Sequence, residues 1–549
     1  MKHCCILLLS VIVTGLFAQE AEPADPGIVL PPVLLEVEDL QVETVNAALP
    51  SDEDQLRPDV TIPLATAEDL YLPDAVFDIA YPDQIGVTPD PDDVSFSEYV
   101  QTSRTRAIFS DGRIGIGAPS YVLGDLSLYK IGGSPRFRLN FLHEKLDGYG
   151  FVQAGSGFYN STDVLDGTIS FEIDSFDFNI HGTIGESTMG LQDNVEGVIA
   201  YDSVTYRNIA GSIEVSHVTD PVTLTGLMRA EYFAQTLTAA EPQFAAEVSI
   251  WPRASATLFL DPFDFELDLQ YELASTSSET GSAIEHRLFA ALISGLRLQN
   301  LRLYLDAGFM WLVSDTILPD VRLGLEWNVR TMLRIETSGG YVSHPVRNSI
   351  LLVDRPLLKL TNLGAEFGWE WKGAAQFRPV TPLLLSIDAG LSYLEGVPDS
   401  ISAHDPETGL FDPIQEAIAM TRLEMGVGME WTISNVIGLT VDWNGIFIER
   451  TQFEPSNEVT VSMAAEDPIE GFGALLQLGA NIRQLESDPS PEISVPILNF
   501  GGYYRISESV RVQLDVHDAL SWLISPGRIG WDPYIEPGLN VTLVTTISL

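Results

Sequence analysis

The chain has 549 residues, and 77 acidic against 29 basic side chains leave it a formal charge of −48 at pH 7. That balance excludes nucleic acid as a partner, since phosphate backbones are held by basic stripes, and it opposes docking on anionic lipid surfaces. The permitted electrostatic class is a cationic ligand or a cationic protein.

Residues 1–18 are predicted to be a signal peptide. Lys2 supplies the basic start, Ile6 to Val13 the apolar run, and Ala18 the small residue before the cut. The run is too short to span a bilayer, which takes about 20 apolar residues. Cys4 and Cys5 precede the apolar core, the wrong order for a lipoprotein, and they are the only cysteines. The exported chain is therefore expected to stand without disulfides.

Residues 19–104 form an acidic, proline-rich segment. Between 19 and 103 there are 20 Asp and Glu against one basic residue, Arg57. A segment of this composition buries too little apolar surface to fold alone. It reads as a solvated linker or, more sharply, as a docking segment for a basic periplasmic partner, anchored by Val33, Leu34, Leu35 and Phe77.

From residue 105 to 549 the texture changes to two-faced strands. GRIGIG (112–117) lies within such a stretch and opens no helix, so it is no phosphate loop. RFRLNF (136–141) is a short copy. FDFELDLQYEL (263–273) places Phe263, Phe265, Leu267, Leu269, Tyr271 and Leu273 on one face, and Asp264, Glu266, Asp268, Gln270 and Glu272 on the other. Gln299-Asn300 reads as a hairpin turn between Leu298 and Leu301. VRLGLEWNV (321–329), LGAEFGWEWK (363–372), LEMGVGMEWTI (423–433), GLTVDWNGIF (438–447) and VRVQLDVH (510–517) repeat the alternation. Segments near 186–196, 274–284, 344–358, 396–416, 451–468 and 484–492 read as external loops.

A soluble sandwich would bury its apolar face and tolerate few charges opposite. Here one face is continuous Leu, Phe and Trp, while the other carries acids, arginines and glycines over more than 400 residues. A transmembrane, antiparallel, up-and-down β-barrel satisfies both faces, with lipid outside and a polar lumen inside. Trp369, Trp371, Trp431, Trp443 and Trp522 are expected in interfacial girdles. At about 20–28 residues per strand and connection, this length predicts about 16–22 strands, an even number. A barrel that wide holds a channel, a plug or inward-folded loops.

Chemistry-bearing constellations are absent. His143, His181, His217, His286, His344, His404 and His517 are scattered singly, without metal-site spacing. PDPDD (89–93) lacks the spacing of a calcium loop. The chain is expected to be no enzyme and to carry no cofactor.

The final stretch QLDVHDALSWLISPGRIGWDPYIEPGLNVTLVTTISL (513–549) resembles the closing strands of TonB-dependent-receptor-type barrels, with Val516, Asp518 and Leu520 near a strand end and Pro537-Gly538 before the last strand. GDLSLYKIGGSPRFRLNFLHEKLDGYG (124–150) is similar to their opening hairpins, and FNIHGTIG followed by GVIAYDSVTY to strands of plugless relatives in diderm bacteria. The resemblance implies the outer membrane and its barrel-assembly machinery as partners. Residues 19–104 are too short and irregular for the globular plug of such receptors, so the plugless type is expected.

The expected function is a channel or transporter for small solutes or peptides, gated by a periplasmic partner, with Asp264, Glu266 and Asp268 favouring cations in the lumen. The alternative is a structural or assembly protein that anchors a complex through its acidic segment. In LNVTLVTTISL, the residues Leu539, Val541, Leu543, Ile547 and Leu549 share one parity, and this strand is expected to close the barrel against the first.

Overall fold

The computed structural model describes residues 108–548, apart from 150–156, 196–200, 240–241, 279–280, 313–315, 330–331, 356, 362, 400–404, 406, 416–418, 449–455, 468–470, 484–491, 494–495, 525–528 and 532–533. The signal peptide, the acidic segment, the PDPDD run, His404 and Leu549 lie outside the described residues.

Twenty-two antiparallel strands close into one barrel, the upper end of the expected range. Each pairs with its sequence neighbours, and the first strand, Ile108–Ala118, pairs both with Tyr121–Lys130 and with the last, Asn540–Ser548. At that junction Ile116 faces Leu543 and Gly112 faces Ile547. Closure leaves no edge unpaired, which is what a bilayer core demands of backbone amides and carbonyls.

Alternation decides which side chain goes where. On Phe263–Ser278, Phe263, Phe265, Leu267, Leu269 and Tyr271 are exposed, while Asp264 and Glu272 on the other parity are buried. On Val222–Thr238, Leu224 and Met228 are exposed outward, and the opposite parity carries Glu231, Phe233, Gln235 and Leu237, all buried against residues of inward-folded loops or the neighbouring wall. The exposed apolar side chains form a continuous outer belt. In water a surface of that extent has no counterpart among soluble monomers; in a bilayer it is the lipid contact.

The belt has sharp borders. Phe141, Leu165, Ile184 and Ile209 lie side by side on four adjacent strands, and one outward rung further on the same strands carry His143, Asp163, Glu186 and Arg207. These pair as His143–Asp163 at 2.7 Å and Arg207–Glu186 at 2.5 Å. Elsewhere on the same rim Tyr341, Trp369 and Tyr393 make an aromatic row across three strands, the kind that sits at headgroup level. Near the other rim stand Phe377 and Trp431. From Trp369 to Phe377 a strand climbs about 26 Å along its own axis, or about 20 Å of height at a tilt near 40°, close to the roughly 25 Å apolar band of outer-membrane barrels. Of the expected girdle residues Trp371 and Trp443 lie deeper in the belt, where Trp443 faces Val427, and Trp522 lies in a loop.

One rim carries mostly tight turns, among them 174–175, 220–221, 261–262, 299–300 and 381–382; the other carries the long connections. By the usual asymmetry the short-turn rim is periplasmic, and the barrel enters at Ile108 and leaves at Ser548 on that side. Two expected loops are largely strand: 274–284 is spanned up to Ser278 and again from Gly281, and 451–468 holds the strand Asn457–Asp467. Their small and polar residues alternate between faces as well as apolar ones do, and composition alone conceals that.

Candidate functional site: three loops folded into the outer mouth

Three long outer connections, spanning 346–364, 396–419 and 518–539, contribute to one buried apolar cluster inside the barrel. The first brings Leu352, Leu357, Leu358 and Leu360, the second Leu410 and Phe411, the third Tyr534. They pack on Leu191, Tyr201, Val204, Tyr206, Phe233 and Leu237, near the outer ends of strands Phe176–Gly190, Ser203–Thr219 and Val222–Thr238 and the connection before the second. Burying each such side chain is worth about 1.5–3 kcal/mol, so the cluster, more than any polar contact, draws the loops inward. The only α-helix among the described residues, Asn348–Asp354, belongs to the first loop.

Loop backbones in a lumen need partners for their polar groups. Two glutamines provide them, Gln235 on the wall strand Val222–Thr238 and Gln192 in the turn that follows Phe176–Gly190. Gln235, 5 % exposed, donates from Nε2 to the Leu358 carbonyl at 2.7 Å and accepts from the Leu360 amide at 2.8 Å. Gln192 does the same for Ile535, at 2.8 and 2.9 Å. Each primary amide thus imitates one rung of a β-ladder. The first two loops are also joined directly: the Phe411 amide donates to the Leu357 carbonyl and the Lys359 amide to the Phe411 carbonyl, both at 2.9 Å. Gly409 has φ of +72°, and a Cβ there would come within 2.9 Å of the Tyr534 hydroxyl, which donates to the Gly409 carbonyl. Glycine is required there on both counts.

Charge adds a latch. Lys359 Nζ lies 2.7 Å from Asp405 and 3.1 Å from Asp412. Burial alone would push the Asp405 carboxyl up, but hydrogen bonds from Lys359, the Glu407 amide and the Thr408 hydroxyl outweigh it and hold it at about 2. Partial burial likewise works against the Lys359 charge, and its two carboxylate partners reverse that and raise it.

The first loop is further held by an ionic network. Arg347 donates from Nε to Glu272 Oε1 at 3.0 Å and from Nη2 to Oε2 at 3.3 Å, and its guanidinium lies 4.5 Å from the ring centre of Trp251. Arg229 stands 4.9 Å from the same ring. Arg287 reaches Glu285 at 2.5 Å, Glu272 at 3.6 Å and the Leu363 carbonyl at 3.2 Å. Asn348 Nδ2 donates to Glu247 at 2.7 Å.

The three acids singled out in the sequence lie on one inner face, and arginines meet two of them. Asp264 is engaged by Arg302 at 2.7 Å and Arg297 at 3.2 Å, and Asp268 by Arg253 at 2.8 Å; Glu266 lies in the field of Arg253. Gly295, cross-strand from Asp264, leaves the space its carboxylate fills: a Cβ would sit 2.2 Å from Oδ1. Of the last-strand residues, Leu543 and Ile547 are exposed on the outer parity, Val541 faces Ala118, and the Leu539 amide donates to Ser521 Oγ at 2.6 Å. Among the described residues no three His, Cys, Asp or Glu converge as a metal site would require.

Inward-folded loops are one of the three expected contents of the barrel, but the sequence reads 344–358 and 396–416 as external, does not read 518–539 as a loop, and shows no sign of the two glutamine clamps. A signal was available: NSILLVDRPLLKLTNL (348–363) puts six leucines into a connection between strands, and a solvated loop has no use for them.

No protein family model and no curated protein matches the chain. Solved structures do. The ferric enterobactin receptor of Pseudomonas aeruginosa, a G324V mutant, is similar with a TM-score of 0.62 at 9 % identity, over 81 % of this chain and 80 % of that one. The siderophore receptor PirA of Acinetobacter baumannii matches at 0.63 and 8 %, over 82 % and 81 %. The FrpB iron transporter of Neisseria meningitidis matches at 0.63 and 8 %, over 81 % and 82 %. At such identity the likeness is one of fold: the chain is an outer-membrane β-barrel of 22 strands, built on the architecture of these receptors.

Proposed function

We propose that this barrel is a transport channel for small solutes or peptides, and that its three inward loops control admission from outside. The observation that carries the reading is the shared apolar cluster of Leu358, Phe411 and Tyr534 with the wall. Loops that served only as external decoration would not need to converge in the lumen. The names of the similar structures, receptors and a transporter, support the same class. The solute is selected by size and by lumen charge; arginines pair Asp264 and Asp268, so of the three acids Glu266 contributes most to a preference for cations. Residues 1–18 act as the export signal, the barrel-assembly machinery inserts the chain, and residues 19–104 are a periplasmic segment for a basic partner, in a barrel of the plugless type.

Planar-bilayer conductance tests this. The full chain should conduct little, and replacing 405–412 with a Gly-Ser linker should raise conductance and give a reversal potential of cation sign in a KCl gradient. Absence of conductance in both forms would refute the channel and favour an anchoring protein.

A further inference from the structure

Arg347 is the one member of the buried ionic network that belongs to a loop and also stacks on the wall. Its surroundings are a guanidinium site in every chemical respect. A carboxylate, Glu272, 1 % exposed, receives two parallel N–H donors, and an indole, Trp251, 5 % exposed, offers its face at 4.5 Å. Bidentate carboxylate pairing plus an aromatic face is how proteins select planar cations. Both groups sit on rigid neighbouring strands, Gln243–Leu260 and Phe263–Ser278, whereas Arg347 rides on the connection after Pro345. With Arg347 in place the network holds Glu231, Glu247, Glu272 and Glu285 against Arg229, Arg287 and Arg347. If the loop lifts, four carboxylates remain against two guanidiniums, an excess that draws in a cation.

We propose that Arg347 is a tethered pseudo-ligand, and that the Trp251–Glu272 site binds a guanidinium-bearing solute, such as an arginine-derived amine or an arginyl peptide, in its place. This rests on the reading of the loops as a movable closure and names the solute class that opens them. A solute entering the site must displace Arg347, and the first loop, through its contacts with the second, moves as a consequence. Because Arg347 is tethered, it competes at an effective concentration in the millimolar range. Wild-type protein therefore binds a free guanidinium only weakly, and removing the tethered competitor strengthens binding.

The test uses the full chain in lipid nanodiscs, titrated calorimetrically with agmatine, which carries a guanidinium and no carboxylate. Arg347→Ala should bind agmatine about tenfold more tightly than wild type or better. Adding Glu272→Gln should remove that gain, and Arg347→Lys, which keeps the charge but loses the planar fork, should fall between. Butylamine in place of agmatine should show a smaller gain. Heat-modifiable migration on gels checks that each variant retains its barrel; should Arg347→Ala lose it, Arg347→Lys alone carries the comparison. Equal agmatine affinity in wild type and the folded Arg347 variant, or a gain indifferent to Glu272, overturns the proposal. Binding is read without current, so a barrel that binds but never conducts leaves this site standing while refuting the channel, and one that conducts without binding does the reverse.

Discussion

The sharpest single test of the loop closure is Gln235→Leu. The substitution keeps an apolar body of similar size on the inner wall but removes both hydrogen bonds to the first loop, leaving the Leu358 carbonyl and the Leu360 amide unpaired. It also removes the 3.2 Å donation to the Tyr206 hydroxyl. A buried polar group stripped of its partner costs about 1–3 kcal/mol. Two such groups give a central figure of about 3 kcal/mol, allowing for some relaxation, which corresponds to a shift of roughly 150-fold toward the open loop. The barrel ladder is untouched, because the bonds of Gln235's own strand are made by backbone. Hydrogen exchange followed by mass spectrometry should therefore show a matching loss of protection over 357–361 and little change in peptides from strands Phe263–Ser278 or Gly281–Leu298. Unchanged exchange over 357–361 would refute the view that the glutamine clamp holds the loop. So would an equal loss in every strand, since the effect would then be on the barrel.

Acid should open the Lys359 latch within a defined window. Asp405 has its folded pKa lowered to about 2, so its contribution is complete above the unfolded value, about 3.9, and is lost as pH falls from about 4 through 2. Proteolysis of the 396–419 loop by an acid-stable protease should rise across that window in wild type, and Asp405→Asn should be cleaved readily already at pH 5; identical profiles would count against the latch. On the outer face, Leu543→Arg places a charge opposite Ile116 and Leu514 in the belt, at a cost of about 2–4 kcal/mol near the bilayer midplane. Folding into lipid vesicles, followed by heat-modifiable migration, should be impaired, whereas Gln513→Arg, on the lumen parity of the paired strand and beside Asp515, should be tolerated better. Equal behaviour of the two would contradict the assignment of faces.

Much of this architecture is legible in the sequence because contact with lipid enforces period two along the strands. Phe263 to Tyr271 reads outward, residue by residue, as the structure has it, and the Gln299-Asn300 turn falls between Leu298 and Leu301 as expected. The interior is less legible for a physical reason. A lumen wall accepts small, polar and charged residues alike, so the sequence marks the face but does not say which charges are neutralised. Asp264 and Asp268 look like free acids in one dimension, and their arginines arrive from other strands, up to 38 residues away. The loop cluster is harder still, since Leu358, Phe411 and Tyr534 meet only after the barrel has closed around them. Gln192 and Ile535 are 343 residues apart, and no local pattern announces such a pair.

The pairing of Ile108–Ala118 with Asn540–Ser548 has a consequence for the order of events during folding. Its contacts join residues more than 400 positions apart, whereas nearly every other ladder joins neighbours in sequence. Local hairpins form early, and contacts of greatest separation come last. The chain therefore passes through an open sheet with two live edges, one at each end, each able to recruit a foreign strand. A slip of one residue as they meet would also send Leu543 and Ile547 into the lumen and Thr542 and Thr546 into lipid. The final rung-by-rung alignment of these two strands is thus the moment at which the molecule commits to being a barrel or an aggregate.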